Sequence, residues 1–226
     1  MAAVAVAHRG DPYRVRENTL PSLRSAVRQG ADAVEFDVRL TRDGVPVLLH
    51  DATLERLWEV ERPLSEVTAA EVRVLTGGGV PALAEGLAAV CQGSAARPMI
   101  DLPDPAAAPA AVAEVRAAGL AGRAYYCGGA AGMLALRAAD PDAEIALTRT
   151  TLAPPPPALL AAVRPRWLNY RFGLVSEDLV ARDHAGGMLV SAWTADTGRT
   201  MKRLLRHGVD SVTTNRIDCL RRLLDR

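Results

Sequence analysis

Two of the four histidines, His8 and His50, stand beside groups that could share chemistry with an imidazole. His8 opens the run His8-Arg9-Gly10, which is followed by Glu17-Asn18-Thr19; His50 closes a stretch that begins at Ala33 and carries Glu35 and Asp37. An imidazole titrates near ~6.5 and can pass protons at neutral pH. Carboxylates gathered on one face suit a hard cation, and the planar fork of Arg9 suits phosphate oxygens. Beside a bound cation either imidazole could serve as acid or base in proton transfer, with the choice between the two left open. The plainer alternative for Glu35 and Asp37 is the exposed polar face of a strand.

Positioning these groups requires strands. Val34, Phe36, Val38 and Leu40 alternate with Glu35, Asp37, Arg39 and Thr41, the period of a strand with one buried face. Asp43-Gly44 suits a two-residue turn, which would pair Arg42 with Val45, Leu40 with Val47, Val38 with Leu49 and Asp37 with His50. Glu35, Asp37 and His50 would then share a face. The first run, Ala2 to Ala7, is short and apolar and ends abruptly at His8-Arg9, where a strand would give way to its loop. Leu20, Leu23 and Val27 then mark a helix with Pro21 in its first turn and Gly30 as its stop.

Along the whole chain the patterns give nine strands and eight helices in near-strict alternation, which predicts a parallel β/α barrel. Val45 to His50 is the strand left outside the ring, because a tight turn makes only an antiparallel neighbour. The expected fold is therefore α/β: a TIM-type (β/α)8 barrel with an extra antiparallel hairpin strand after strand 2, in one domain over residues 1–226. A doubly wound open sheet is the alternative, but no Gly-rich dinucleotide fingerprint follows the first strand. In a barrel the loops after the strands share one face, which would gather His8, Glu35, Asp101, Trp193 and Asn215. The run Pro154 to Pro157 reads as a stiff loop entering a helix.

The 226 residues are 49% hydrophobic with a formal net charge of +1, which allows a large core and argues against a nucleic-acid surface. Cys91, Cys127 and Cys219 are widely spaced, as expected of reduced core thiols in a reducing compartment. No apolar stretch is long enough to span a bilayer, and the N-terminal run lacks a basic leader, so a cytoplasmic location is expected. His184 and His207 each precede a helix-ending glycine and receive no catalytic role.

The ordered set His8-Arg9-Gly10, Glu17-Asn18-Thr19, Glu35-Phe-Asp-Val38, Thr41-Arg-Asp-Gly44 and Pro46-Val-Leu-Leu-His-Asp51 resembles the signature of the glycerophosphodiester phosphodiesterase family. Ala192-Trp-Thr-Ala-Asp196 and Gly208-Val-Asp-Ser-Val-Thr-Thr-Asn215 extend the resemblance toward the C-terminus. It implies His8 and His50 as the catalytic pair, and Glu35, Asp37 and Asp101 as ligands of a divalent cation, Mg2+ or Ca2+. It also implies Arg9, Glu17, Asn18 and Trp193 around a small glycerophosphodiester substrate, although Asn18 would serve equally as a helix cap and Trp193 as a core side chain.

The implied reaction yields glycerol 3-phosphate and an alcohol, with attack by the substrate's own glycerol hydroxyl through a cyclic phosphate. The chain departs from the family where Glu-x-Lys becomes Asp101-Leu102-Pro103, and where Ser-Phe becomes Cys127-Gly128. The segment after His50-Asp51 also changes, from Arg-Thr-Thr to Arg56-Leu57-Trp58. These changes keep two further readings in play: a lysophospholipid-directed phosphodiesterase with the same site, and a degenerate barrel that binds phosphate or metal without turnover.

Overall fold

The computed structural model describes residues 3–225. Its strands and helices are β1 (Val4–His8), α1 (Leu20–Arg28), β2 (Ala33–Leu40), β3 (Pro46–Leu48), β4 (Thr53–Leu54), α2 (Glu55–Trp58), β5 (Val60–Pro63), α3 (Ala69–Leu75) and α4 (Leu83–Cys91). There follow β6 (Arg97–Asp101), α5 (Ala108–Ala117), β7 (Tyr125–Gly128), α6 (Ala130–Ala139), β8 (Ile145–Arg149), α7 (Pro157–Val163) and β9 (Trp167–Arg171). The chain closes with α8 (Glu177–Ala185), β10 (Leu189–Trp193), α9 (Gly198–Arg206), β11 (Ser211–Thr214) and α10 (Ile217–Leu224). Ala2, expected to begin the first strand, lies outside the described residues.

Eight parallel strands close into a ring in the order β1-β2-β6-β7-β8-β9-β10-β11, with β1 bonded to both β2 and β11. β3 pairs antiparallel with β2 outside the ring, as expected. Each barrel strand alternates between two cores. Val34, Phe36 and Val38 of β2 point outward into the large cluster shared with the helices, whereas Ala33 joins Val6, Met99, Tyr125, Cys127, Ala146 and Trp167 in the barrel interior. Helix termini follow local chemistry: Thr19 caps α1, accepting the Ser22 N–H, and Ser176 caps α8, accepting the Leu179 N–H.

Three expectations need correction. β2 is buried on both faces, because its polar face looks into the barrel rather than to solvent, with Glu35 at 4% and Asp37 at 2% exposure. The hairpin register is shifted by one: Val38 pairs with Leu48, Arg39 with Val47 and Leu40 with Pro46, so Asp37 and His50 are not partners. The loop holds three residues, since Thr41 N–H donates to the Val45 carbonyl and positive φ (77°) falls on Gly44. Asp43 instead accepts from the Thr41 hydroxyl and the Ala69 N–H, a role that a two-residue loop would not leave it. Finally, residues 53–75 fold as a small insertion, the β4–β5 ribbon with α2 and α3, over a satellite cluster of Leu49, Leu54, Leu64, Val67, Val72 and Val80. Its elements are too short to leave a periodic signal.

Candidate active site

The site lies at the C-terminal ends of the barrel strands, where parallel register sets side chains of neighbouring strands about 4.8 Å apart. His8 is level with Glu35, and Asp37 with Asp101. A cavity of about 240 Å3 is lined by His8, Arg9, Glu35, Asp37, His50 and Asp101, and on its far wall by Thr148, Asn169, Trp193 and Thr213. The wall expected to bear a cation carries Pro103 beside Cys127, Gly128 and Gly129.

Glu35, Asp37 and Asp101 offer oxygens that all lie within 4.8 Å of one another. Burial, reinforced by the Asp37 and Asp101 carboxylates, holds Glu35 well above the usual carboxylate range. Burial and Asp37 push Asp101 up to about 6. Two buried carboxylates and a half-buried one, with oxygen donors only, form a cluster able to hold a divalent cation, and ion binding would relieve their mutual repulsion. Arg9 is the cation already among them: its backbone N–H donates to Glu35 Oε2 at 3.0 Å, and its guanidinium Nε is 3.1 Å from Asp37 Oδ2. The second contact is electrostatic rather than a directed hydrogen bond, because Arg9 Nε has no acceptor in line.

The histidines are backed differently. Asn215 donates its amide Nδ2 to Asp196 at 2.8 Å, so its Oδ1 faces His8 and must accept from His8 Nδ1 at 2.8 Å. That tautomer leaves His8 Nε2 with a lone pair, 3.9 Å from Glu35. Burial and the adjacent Arg9 charge hold His8 below its ordinary range. His50 Nδ1 is bonded to Asp51 at 2.7 Å, and Arg39 Nε donates to the His50 carbonyl at 2.7 Å. Burial opposes ionisation of Asp51, but its bonds from Arg56 and His50 prevail and lower its pKa. An ionised carboxylate only accepts, so His50 Nδ1 is the donor.

Asn18 and Glu17 do not line the cavity. Asn18 takes φ 54° and grips Asp37 twice, donating Nδ2 to Asp37 Oδ2 at 2.7 Å and accepting the Asp37 N–H at 3.3 Å. The cap of α1 is Thr19, so Asn18 fixes a carboxylate and is not a helix cap. Glu17 Oε1 accepts from both Arg9, at 2.9 Å, and Arg56, at 2.6 Å. The loop that presents these groups depends on Gly10, at φ 88°: a Cβ there would lie 2.4 Å from Ser22 Oγ and 2.7 Å from the Ser22 carbonyl carbon. Trp193 lines the cavity with its Nε1 buried and unpartnered. Sequence reasoning missed Asn169 and Thr213, whose Oδ1 and Oγ1 are buried without partners. A polar residue inside an otherwise apolar strand, Trp167-Leu168-Asn169-Tyr170, was the available signal.

The described residues contain no helix long and apolar enough to cross a membrane. A family model described as the glycerophosphoryl diester phosphodiesterase family matches residues 8–219. A glycerophosphodiester phosphodiesterase of Caldanaerobacter subterraneus subsp. tengcongensis is 40% identical over 78 residues, 34% of this chain and 32% of that protein. Glycerophosphodiester phosphodiesterase 1 of Rattus norvegicus is 45% identical over 71 residues, 31% of this chain and 22% of the relative. The matched stretch thus spans a third or less of each relative.

Two solved structures share the fold over nearly all of both chains. A glycerophosphodiester phosphodiesterase from Parabacteroides distasonis has TM-score 0.86 and 24% identity, covering 99% of this chain and 97% of that one. An Oleispira antarctica phosphodiesterase in complex with the product sn-glycerol-3-phosphate also has TM-score 0.86, with 20% identity and coverage of 100% and 98%.

Proposed function

The chain belongs to the glycerophosphoryl diester phosphodiesterase family, and from that premise we propose that it is a metal-dependent phosphodiesterase releasing glycerol 3-phosphate and an alcohol from a glycerophosphodiester. The single observation that carries the reading is the convergence of two separately backed imidazoles, one guanidinium and three carboxylates on one small cavity. Glu35, Asp37 and Asp101 would hold the cation, Mg2+ or Ca2+. Bound there, it would neutralise phosphate charge and acidify a nearby hydroxyl.

The remaining work falls to the chain. Arg9 binds phosphate oxygens. His8, neutral with Nε2 bare, takes the proton of the glycerol 2-hydroxyl as its oxygen bonds to phosphorus. The bond from phosphorus to the alcohol oxygen breaks, and His50, oriented by its Nδ1 bond to Asp51, protonates that oxygen. Water then opens the cyclic phosphate with the proton transfers reversed, giving glycerol 3-phosphate. Asn169, Thr213 and Trp193 supply uncharged hydrogen-bonding atoms to substrate hydroxyls.

Cavity size favours a small diester over a lysophospholipid. Pro103 in place of a lysine is the observation that favours the non-catalytic reading. Glycerophosphocholine, glycerophosphoethanolamine and a lysophospholipid, each with Mg2+, Ca2+ or chelator, test the three together. The expected result is cation-dependent release of glycerol phosphate that falls at least 100-fold in His8→Ala. Ion binding without turnover of any diester would leave the non-catalytic reading standing.

A further inference from the structure

His50 must be held in register with a phosphate site built on other strands. His50 follows β3, outside the barrel ring, and 44% of its side chain is exposed. Arg9 follows β1, and both histidine and arginine must meet one phosphate group. Arg56, on the short helix α2 of the insertion, lies between them. It donates Nε to Asp51 Oδ2 at 2.5 Å and Nη2 to Glu17 Oε1 at 2.6 Å. Asp51 holds His50 and Glu17 holds Arg9, so one unbroken chain of charge-assisted contacts runs Asp37, Arg9, Glu17, Arg56, Asp51, His50.

We propose that Arg56 is a positioning residue: by bridging Asp51 and Glu17 it sets the distance between the His50 imidazole and the Arg9 guanidinium. The inference rests on the phosphodiesterase reading. An exposed ion pair by itself contributes little, and 46% of the Arg56 side chain is exposed. Two features lift Arg56 above that class. Its planar fork spans two carboxylates at once, which an ammonium cannot reproduce. Its helix is also anchored: the Trp58 ring lies against Gly79 so closely that a Cβ there would come within 1.9 Å, and the Arg16 guanidinium stacks 4.4 Å over the same ring. Arg16 and Glu17 are neighbours in the loop after β1, so the insertion grips that loop at two adjacent points. A bridge anchored in this way fixes geometry, and geometry enters the rate through orientation.

The test compares wild type, Arg56→Ala and Arg56→Lys on glycerophosphocholine with Mg2+. Arg56→Ala should lower kcat roughly 10- to 100-fold with KM little changed and melting temperature preserved. Added guanidinium should restore part of the loss in Arg56→Ala, and Arg56→Lys should stay impaired. Unchanged kcat, full activity in Arg56→Lys, or a loss that follows the melting temperature and ignores guanidinium would each overturn the proposal. A wild-type chain inactive on every diester would sink the functional reading instead. The bridge would then be read from the His50 Hδ1 resonance in NMR spectra, which Arg56→Ala should shift or broaden; an identical resonance would overturn the bridge as well.

Discussion

Removing the divalent cation should destabilise the fold by an amount that depends on pH, and the carboxylate cluster sets the size of the effect. Asp101 is pushed from 3.8 up to about 6 by burial and by Asp37. At about 1.4 kcal/mol per pKa unit, charging it in the cation-free fold costs about 3 kcal/mol. The folded carboxyl holds its proton more tightly than the unfolded one, so the favourable term is complete below pH 4 and lost as pH rises through 6. Glu35 is also raised well above the usual carboxylate range and carries the same sign. A cation binds the ionised cluster, so its stabilising effect runs the opposite way and grows as pH rises through 6.

At one hundred times its dissociation constant, a ligand adds about 2.7 kcal/mol, or roughly 5 to 11 °C in a domain of this size. At pH 5 the ion must first displace the Asp101 proton, which reduces the shift to about half or less. Glu17 and Asp51 have lowered pKa values and the opposite sign, so the readout is the difference with and without cation. Thermal melts at pH 5 and pH 8 with Mg2+, Ca2+ or chelator measure it, and Asp101→Asn should shrink the shift at pH 8. Equal shifts at both pH values, or an undiminished shift in Asp101→Asn, would refute the reasoning.

Two further perturbations probe the loops around the cluster. Gly10→Ala puts a Cβ at φ 88° against the Ser22 backbone and should cost about 3 kcal/mol in urea unfolding, whereas unchanged stability would show that the loop can refold around it. Pro103→Lys places a cation on the bare wall and should raise kcat/KM on glycerophosphocholine about 10-fold; no change in a variant that melts normally would show that Arg9 already suffices.

Much of this architecture was legible in the sequence because barrel strands advertise themselves twice, by alternation and by the polar residue at their C-terminal end. β2 shows the alternation, and β1, an unbroken apolar run, shows the polar end at His8. The hairpin register was not legible: Asp43-Gly44 fits a two-residue turn and a three-residue one, and the choice was made by bonds to Thr41 and Ala69. The polar face of β2 looked solvated because period-2 alternation cannot tell water from a polar barrel interior. Asn18, which precedes a helix, read as readily as a cap as a site residue, yet Thr19 does the capping and Asn18 reaches 19 positions along the chain to Asp37. The insertion escaped because elements of two to seven residues take their order from packing on Leu49 and Val47 rather than from their own pattern.

The bond between His8 and Asn215 joins residues 207 positions apart. β1 is clasped by its successor in the chain on one side and by the final strand on the other, so His8, the proposed general base, acquires its orienting amide only when the ring shuts. A fragment ending before Asn215 could retain Glu35, Asp37 and their neighbours and still present an imidazole free to spin. Competence for proton transfer is therefore a report on closure: it should return, during refolding, no earlier than the last seam.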